Sequence, residues 1–308
     1  MSESALVHIG ELTIDDVVTE DHDADWKQAG GGALYSAVGS LVWGGHVAIS
    51  AAVGDDYPEE LLQEMVLADL DVGAVHRVSG ARSIGLWLLY EAGGARRQLE
   101  KVGGGTMRHL DLQRPKVPMS RWPVAGVHLA PQSSEGHLRS LSEVTGTGAL
   151  CTLDVLVEPY IDPHPYLDGS VLQHVDAFLP SLQEVRDLWG HENVGKLGTT
   201  LQELGVSAQL VVKRGAEGAD VLVQGTVLRV PSVTETLVDP TGAGDAFCGG
   251  FLAGLVETGD PVEAAVRGVV SASFICQSRG AFAAAHSIDH PTTLRRAQTA
   301  RRGTRKVS

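Results

Sequence analysis

The stretch from Asp239 to Ala246 reads Asp-Pro-Thr-Gly-Ala-Gly-Asp-Ala, and it decides which fold the chain can adopt. Pro240 fixes its own φ angle, and Gly242 and Gly244 let the backbone turn tightly. The apolar run 246–255 that follows is long enough for a buried helix. The sequence therefore predicts a glycine turn leading into a helix N-terminus, whose unpaired N–H groups and partial positive charge attract anions such as phosphate.

Asp245, in the first turn of this helix, has two interpretations. As a capping acid it would stabilise the helix start, because aspartate suits both the cap and the helix dipole. As a general base it would take a proton from a hydroxyl while neighbouring amides hold the charge on a transferring phosphoryl group. The two roles are compatible.

The longer string 239–247, which ends in Phe247, resembles the C-terminal signature of the ribokinase-like (PfkB) family of carbohydrate and nucleoside kinases. The resemblance implies an α/β fold, a ribokinase-like three-layer α/β/α sandwich with a small β-sheet lid. It also implies that Asp245 is the catalytic base. Gly242, Ala243 and Gly244 would then form the anion hole for the γ-phosphate of ATP.

Composition and charge narrow the class of protein. The chain has 308 residues, of which 43% are hydrophobic and 20% charged, as in ordinary globular domains. A formal net charge of −14 disfavours nucleic acid as a partner. Cys151, Cys248 and Cys276 are too widely spaced for a metal site, and their odd number argues against a disulfide framework. Without a signal pattern or a membrane-length apolar stretch, we expect a cytoplasmic protein with no membrane partner.

The domain organisation follows from the absence of repeats and low-complexity linkers. We expect a single kinase domain over residues 1–308, with lid strands within about 11–29 and 83–103. Basic residues cluster at the C-terminus, and residues 295–308 contain no acid. A solvated, fraying terminus is the favoured interpretation of this tail, and an interaction arm is the alternative.

Four residues near the N-terminus are candidates for binding the acceptor. Asp15 follows the first predicted strand, and ligands of open α/β sheets bind beyond the carboxyl ends of strands; a solvated turn acid is the alternative. The resemblance places Asp15 on a substrate-hydroxyl aspartate and Gly30 and Gly31 on the glycine pair of the N-terminal signature. Tyr35 stands where the family commonly has an asparagine that holds sugar hydroxyls, which puts a standard ribose- or fructose-like pose in question.

Residues 84–91 and 95–102, joined by Gly93 and Gly94, predict a β-hairpin. In the family, strands of this region form the lid over the sugar site and often make the dimer contact, which implies a homodimer through the lid. Trp87 and Leu89 would face the substrate or a second subunit, with simple packing as the alternative.

From residue 125 onward, predicted strands alternate with helices, which is typical of a parallel sheet wound with helices. Ser181 and Glu184 stand where the family commonly carries Asn-x-x-Glu, which implies that Glu184 positions Mg²⁺ through water. Serine followed three residues later by glutamate is also a capping box, so a purely structural role stays open.

The segment 211–218 predicts a strand that runs into a glycine turn. It resembles the nucleotide-side loop of the family, which implies that Gly215 and Gly218 lie near ATP. Lys213 would neutralise phosphate charge. In an equal alternative, Lys213 and its neighbour Arg214 both point into solvent.

The signature loop itself supplies two further candidates. The resemblance implies that Thr241 lies beside the nucleotide. It also implies that Asp239 and Thr241, together with the later segment 278–280, could bind a monovalent cation such as K⁺.

The leading functional hypothesis is an ATP- and Mg²⁺-dependent phosphotransferase acting on a hydroxyl of a small sugar-like acceptor. A nucleoside kinase is one alternative, and a non-catalytic sugar or nucleotide sensor on the same fold is another. A dinucleotide-dependent oxidoreductase is set aside, because the first predicted strand is not followed by Gly-x-Gly-x-x-Gly.

Overall fold

A central sheet organises the chain in the computed structural model, which describes residues 4–18, 24–90, 96–101, 103–117 and 121–307, with residue 96 as backbone only. In spatial order its strands are β14 (Arg305–Lys306), β13 (Thr226–Val230), β12 (Ala219–Val223), β11 (Gln209–Lys213), β10 (Ala177–Phe178), β9 (Leu150–Leu153), β8 (Val124–Leu129), β1 (Ala5–Ile9), β4 (His46–Gly54) and β5 (Leu70–Val78). Neighbours from β5 to β11 pair in parallel, and neighbours from β11 to β14 pair antiparallel.

Helices cover both faces of this sheet, as the alternation of strands with helices predicted. One face carries α1 (Gly32–Leu41), α2 (Glu59–Leu67), α8 (Ala243–Thr258), α9 (Pro261–Cys276), α10 (Ala281–His286) and α11 (His290–Gly303). The other carries α3 (Met107–Gln113), α4 (Ser134–Val144), α5 (His164–Leu167), α6 (Leu182–Trp189) and α7 (Val194–Glu203). Strand β1 is buried along its whole length because it is covered on both sides. Within the described ranges, no helix has the length and apolarity needed to cross a membrane.

A second, smaller sheet stands apart from the central one. Its spatial order is β3 (Ala24–Gly30), β2 (Thr13–Val18), β6 (Ile84–Tyr90) and β7 (Arg96–Glu100). β6 and β7 pair antiparallel, as the hairpin prediction required, while the predicted turn at Gly93 and Gly94 lies outside the described residues. The three-layer fold with a small additional sheet is thus confirmed.

Helices α1 and α8 cross at very short range because small residues form the contact. A Cβ on Gly39 would overlap the backbone of Ala246, and a Cβ on Gly249 would overlap the backbone carbonyl of Ser36. The Ser40 hydroxyl also donates to the Gly249 carbonyl at 2.8 Å. This tight crossing places the N-terminal ends of both helices side by side.

The C-terminal region corrects the expectation of a fraying tail. Its basic residues belong to α11 and to β14, which pairs with β13 at the sheet edge. Arg301 forms an ion pair with Glu263 of α9 at 2.5 Å. Arg296 is 3% exposed and donates to Ser273 Oγ at 3.1 Å. The expectation was wrong because the acids that pair with these arginines are distant in sequence. Residue 308 lies outside the described residues.

Candidate active site

The candidate site lies at the carboxyl ends of the parallel strands. The strand order reverses at β1, which has β4 on one side and β8 on the other, so a crevice opens there. A cavity of about 480 Å³ occupies this crevice beneath the small sheet, and its volume is ordinary for a small-molecule pocket. Residues from both sheets line it, including Glu11, Thr13, Asp15, Gly31, Tyr35, Leu86, Leu88, Gln98, Asp154, Glu184, Lys213, Gly242, Gly244 and Asp245.

Asp245 faces this cavity from the first turn of α8. The helix begins after Gly242, which is its N-cap residue. Gly242 has φ +75°, a backbone conformation that glycine adopts without strain. Asp245 thus lies inside the first turn rather than at the cap. A Cβ on Gly32, the first residue of α1, would lie 3.0 Å from Asp245 Oδ1. The carboxylate therefore lies close to the N-termini of both α1 and α8.

Tyr35 is 5% exposed and packs against the turn at Gly242. A Cβ on Gly242 would overlap the Tyr35 ring, so this position tolerates only glycine for steric as well as conformational reasons. Burial raises the pKa of Tyr35, and the nearby carboxylates of Asp15 and Asp239 raise it further. Tyr35 lines the acceptor cavity with a neutral ring packed on the turn.

The acceptor side of the cavity is built by the small sheet. Asp15 lies within β2 and is 4% exposed, and Gly30 ends β3 directly beside it. A Cβ on Gly30 would lie 2.5 Å from Thr13 Oγ1 and would overlap the Asp15 carboxylate. Gly31 has φ +102° and precedes α1. The absence of a side chain at Gly30 therefore leaves room for the carboxylate of Asp15.

Glu11 is a cavity residue that the sequence analysis missed. It lies two residues after the end of β1, and its backbone carbonyl accepts the Ala33 amide at 3.3 Å. Burial raises the pKa of Glu11 well above its usual range, and the carboxylates of Asp111, Asp15 and Asp245 raise it further. This side of the cavity therefore groups several carboxyl groups, and the raised pKa favours the neutral form of Glu11.

Lys213 brings positive charge to the opposite side of the cavity. Its ammonium group pairs with Asp154, which follows β9 directly. Burial alone lowers the pKa of Lys213, but the Asp154 carboxylate, assisted by Cys248 and Glu184, raises it overall, so the side chain stays charged. A Cβ on Gly244 would lie 3.6 Å from Lys213 Nζ, so this cation adjoins the anion-hole turn.

Glu184 forms the capping box of α6 and also lines the cavity. Its Oε2 accepts the Ser181 amide at 2.6 Å, while the Ser181 hydroxyl accepts the Glu184 amide at 3.2 Å. Burial raises the pKa of Glu184 to about 7; Asp154 adds to the rise and Lys213 opposes it. The structural role is therefore present, and the position still allows contact with a ligand.

A second cavity of about 560 Å³ adjoins the first across the signature loop. Its walls combine apolar side chains of α8 and α9 with the glycine loop after β11. The lining includes Gly215, Ala216, Gly218, Thr234, Glu235, Phe247, Val269, Ala272 and Cys276. Lys213, Gly215, Pro240 and Gly244 line both cavities.

Most predicted site residues meet at these two cavities. Arg214 lies outside both cavities and pairs with Glu217 and Asp220. The alternative in which Lys213 and Arg214 both point into solvent is therefore wrong, because each side chain is paired with an acid. Trp87 faces away from the cavity and contacts Trp26 at a ring separation of 5.8 Å. Leu86 and Leu88 line the cavity instead, because neighbouring strand residues point to opposite faces.

Asp154 and Tyr90 were also missed. Asp154 follows a parallel strand, so the argument that singled out Asp15 could have found it. Tyr90 donates its hydroxyl to Asp239 Oδ1 at 2.5 Å, a contact between segments 149 residues apart that no local pattern predicts. Among the described residues, no group of three or more His, Cys, Asp or Glu side chains could hold a metal ion. This applies to the surroundings of Asp239 as well.

Comparison with known proteins shows to which family the chain belongs. The sequence profile described as pfkB family carbohydrate kinase matches residues 4–287. The chain belongs to the PfkB family of carbohydrate kinases. Its PfkB-family relatives are sugar and nucleoside kinases.

Two relatives illustrate this range, and a solved structure shares the fold. A cytidine kinase of Thermococcus kodakarensis is 28% identical over 267 residues, covering 85% of this chain and 92% of the relative. A 2-dehydro-3-deoxygluconokinase of Escherichia coli is 32% identical over 161 residues, covering 50% of this chain and 52% of the relative. The structure of Arabidopsis thaliana ribokinase complexed with ribose and ATP superposes with a TM-score of 0.76 at 21% identity, covering 97% of this chain and 99% of that one.

Proposed function

We propose that this chain transfers the γ-phosphoryl group of ATP to a hydroxyl of a small sugar-like acceptor, with Asp245 as general base. The observation that carries the proposal is that Asp245 lines one cavity together with the carboxyl group of Asp15 and the ammonium group of Lys213. From there the carboxylate can take a hydroxyl proton while the amides of Gly242 and Gly244 stabilise the charge that develops on the phosphoryl oxygens. The Ala243 amide donates to the Pro240 carbonyl at 3.1 Å and so holds the turn in shape.

The nucleotide would span both cavities. Its base would lie against Phe247 and Val269, and its phosphates would pass Gly215, Gly218 and Thr241 to reach Lys213. A fixed ammonium beside the anion-hole turn neutralises phosphate charge without a large rearrangement.

The residues fit a magnesium ion as PfkB chemistry would use it. Mg²⁺ is commonly held by one or two carboxylates together with substrate phosphates and water, not by an all-protein cage. Glu184 lines the cavity with a buried carboxyl, which suits a contact through water. Such an ion would neutralise phosphate charge during transfer.

The acceptor cavity favours an uncharged polyhydroxy compound. Asp15, Gly30, Gly31 and Tyr35 would form its hydroxyl-binding wall, with Leu86 and Leu88 above. Carboxylates accept hydrogen bonds from hydroxyl groups, whereas an acidic acceptor would be repelled by them. A nucleoside is the second candidate, because the cytidine kinase relative is covered over 92% of its length.

Two further features complete the proposal. Asp239 would contribute to binding a monovalent cation such as K⁺ beside the signature loop. The lid would mediate a homodimer, because Trp26 is 57% exposed on β3 and Leu99 is 50% exposed on β7, at the two edges of the small sheet. Three buried free thiols fit a reducing compartment such as the cytoplasm.

The direct test measures ADP release from Mg²⁺-ATP with a panel of sugars, polyols, sugar acids and nucleosides, each with K⁺ and with Na⁺. A neutral sugar that raises ADP release well above the acceptor-free rate supports the proposal. A nucleoside that does so favours the second candidate. Nucleotide binding without turnover for any acceptor would point to a sensor, and absence of ATP binding would refute the kinase proposal.

A further inference from the structure

The chain between β13 and the signature loop forms one wall of the second cavity. This stretch contains neither helix nor strand, and we call its residues 232–237 the wall segment. Four of them line the cavity, namely Ser232, Thr234, Glu235 and Leu237. None of these four lines the acceptor cavity, so under the proposed function they would border the base of the nucleotide rather than its phosphates.

Hydrogen bonds hold the wall segment at its two ends. The Thr234 amide donates to Ser232 Oγ at 3.3 Å, and just beyond the segment the Val238 amide donates to the Cys276 carbonyl at 2.7 Å. Between these points, the main chain of residues 235–237 makes no hydrogen bond to any residue that the structure describes. The position of this part of the wall therefore depends on side chains.

Glu235 is the side chain that ties the wall segment to α11. Its carboxylate accepts two hydrogen bonds from Arg295, at 2.5 Å on Oε1 and 3.0 Å on Oε2, and one from Arg296 at 3.4 Å. The hydrogen bonds from Arg295 lower the pKa of Glu235 to about 2, and Arg296 assists, so the carboxylate is charged at neutral pH. Bidentate pairing gives this contact a fixed direction, which a single exposed ion pair lacks.

Arg296 connects this contact to the helix that forms another wall of the same cavity. Its buried guanidinium donates to Ser273 Oγ at 3.1 Å and to Gln277 Oε1 at 2.5 Å. It also lies 4.7 Å from the ring centre of Phe274, so a ring face and several acceptors hold it in one orientation. Three residues of the same stretch of α9 line the cavity, namely Val269, Ala272 and Cys276. Arg296 therefore joins two walls of one cavity.

We propose that Arg295 and Arg296 are positioning residues for the nucleotide, because through Glu235 they hold the wall segment in place beside the base. The role rests on the proposed function, since it has a meaning only if this cavity takes ATP. It makes the C-terminal helix part of the nucleotide site, although none of the described residues of α11 lines the cavity. A wall that is already ordered spares the nucleotide the cost of ordering it, so the contact raises affinity without taking part in phosphoryl transfer.

The chain offers matched variants for a test. Arg295→Met removes the bidentate ion pair, and Glu235→Gln weakens the contacts to both arginines from the side of the wall segment. Arg301→Met is the control, because Arg301 lies on the same helix and forms a bidentate ion pair with Glu263, near the start of α9. Arg295 and Arg301 are comparably exposed, at 54% and 46%, and Glu263 does not line the cavity. Both arginine variants therefore remove a similar contact from α11, and only Arg295→Met releases the wall segment.

Calorimetry with a non-hydrolysable ATP analogue and Mg²⁺ measures the effect without an acceptor. We expect Arg295→Met and Glu235→Gln each to raise the Kd about threefold to tenfold, as for loss of a hydrogen-bonded ion pair. The double variant should bind about as well as the weaker single variant, because both changes remove one contact. Arg301→Met should keep the Kd within about twofold of the wild type. Thermal unfolding without nucleotide should be equal for Arg295→Met and Arg301→Met, which separates positioning from general stability.

Kinetics with the acceptor found by the ADP-release panel give the second readout. Arg295→Met should raise the KM for ATP by the same factor and leave kcat and the acceptor KM within about twofold, the pattern of binding lost equally from ground and transition states. Wild-type Kd values in Arg295→Met and Glu235→Gln, or an equal loss in Arg301→Met, would overturn the positioning role and leave the kinase proposal intact. Failure of the wild type to bind the analogue would refute the kinase proposal and this role with it.

Discussion

At the scale of single residues, the account depends on Asp245. It lies in the first turn of α8 and lines the cavity, which is the position that the proposed general base requires. Asp245→Asn keeps the size and the helix start but removes the proton acceptor. We expect ATP affinity within about threefold of the wild type and a kcat lower by about 10² to 10⁴, the usual contribution of a general base. Calorimetry and steady-state kinetics measure the two quantities. A kcat near the wild-type value would remove the assignment.

Glu184 gives a pH-dependent prediction. Its folded-state pKa of about 7 is raised by burial, so the side chain is protonated below that pH and cannot hold a metal-bound water as a carboxylate. We expect kcat/KM for Mg²⁺-ATP, which reports the free enzyme, to rise as the pH increases through about 7. Glu184→Gln preserves a capping acceptor and should lose this limb of the profile. Identical profiles for the two proteins would show that Glu184 does not contribute.

The residues that could be predicted are those within continuous strings. The run 239–247 led to Asp245 and its glycines, and 211–218 led to Lys213 and its loop, because each string encodes a local backbone shape. Glu11 and Tyr90 could not be found this way. Their roles arise from proximity to residues far along the chain, such as Asp245 and Asp239.

At the scale of elements, the crossing of α1 and α8 fixes the geometry of the site. Gly249→Ala places a methyl group against the Ser36 carbonyl, so the helices must separate. We expect a loss of about 1–3 kcal/mol in the free energy of unfolding, with reduced turnover because the N-terminal ends of both helices move. Denaturant unfolding and ADP release measure the two effects.

Gly195→Ala in α7 is the matched control for that variant. A Cβ at position 195 would meet only the Asn193 side chain at 3.4 Å, an ordinary contact. Alanine is the better helix former, so we expect a gain of about 0.5–1 kcal/mol and normal turnover. A similar loss of stability in both variants would mean that the loss in Gly249→Ala does not come from the contact between α1 and α8.

The sequence largely predicted which segments form helices and strands, but it did not predict which of these elements pack against each other. Strands such as 209–213 and helices such as 246–255 stand out by apolar runs and glycine boundaries. The prediction of a fraying C-terminal tail was wrong because α11 is polar overall and no apolar run reveals it in the sequence. What orders α11 is the packing of Ala297 and Ala300 in the core, together with the pairing of its arginines with Glu235 and Glu263.

At the scale of the whole molecule, the lid is the expected dimer surface. Trp26 and Leu99 expose apolar area on its two edge strands. We expect sedimentation to show a dimer for the wild type and a monomer for Trp26→Lys. Leu67→Lys serves as the control, because Leu67 is 76% exposed on α2, away from the lid. A wild-type monomer, or loss of the dimer in the control, would contradict this assignment.

The measurement that tests the central claim most directly follows the phosphoryl group itself. ATP labelled on its γ-phosphate is incubated with the wild type and with Asp245→Asn, in Mg²⁺ and a neutral sugar chosen from the acceptor panel. The account predicts that the wild type moves the label into a phosphate ester of the sugar, while Asp245→Asn binds ATP and transfers almost none. Equal transfer by both proteins, or label released only as free phosphate by the wild type, would contradict it.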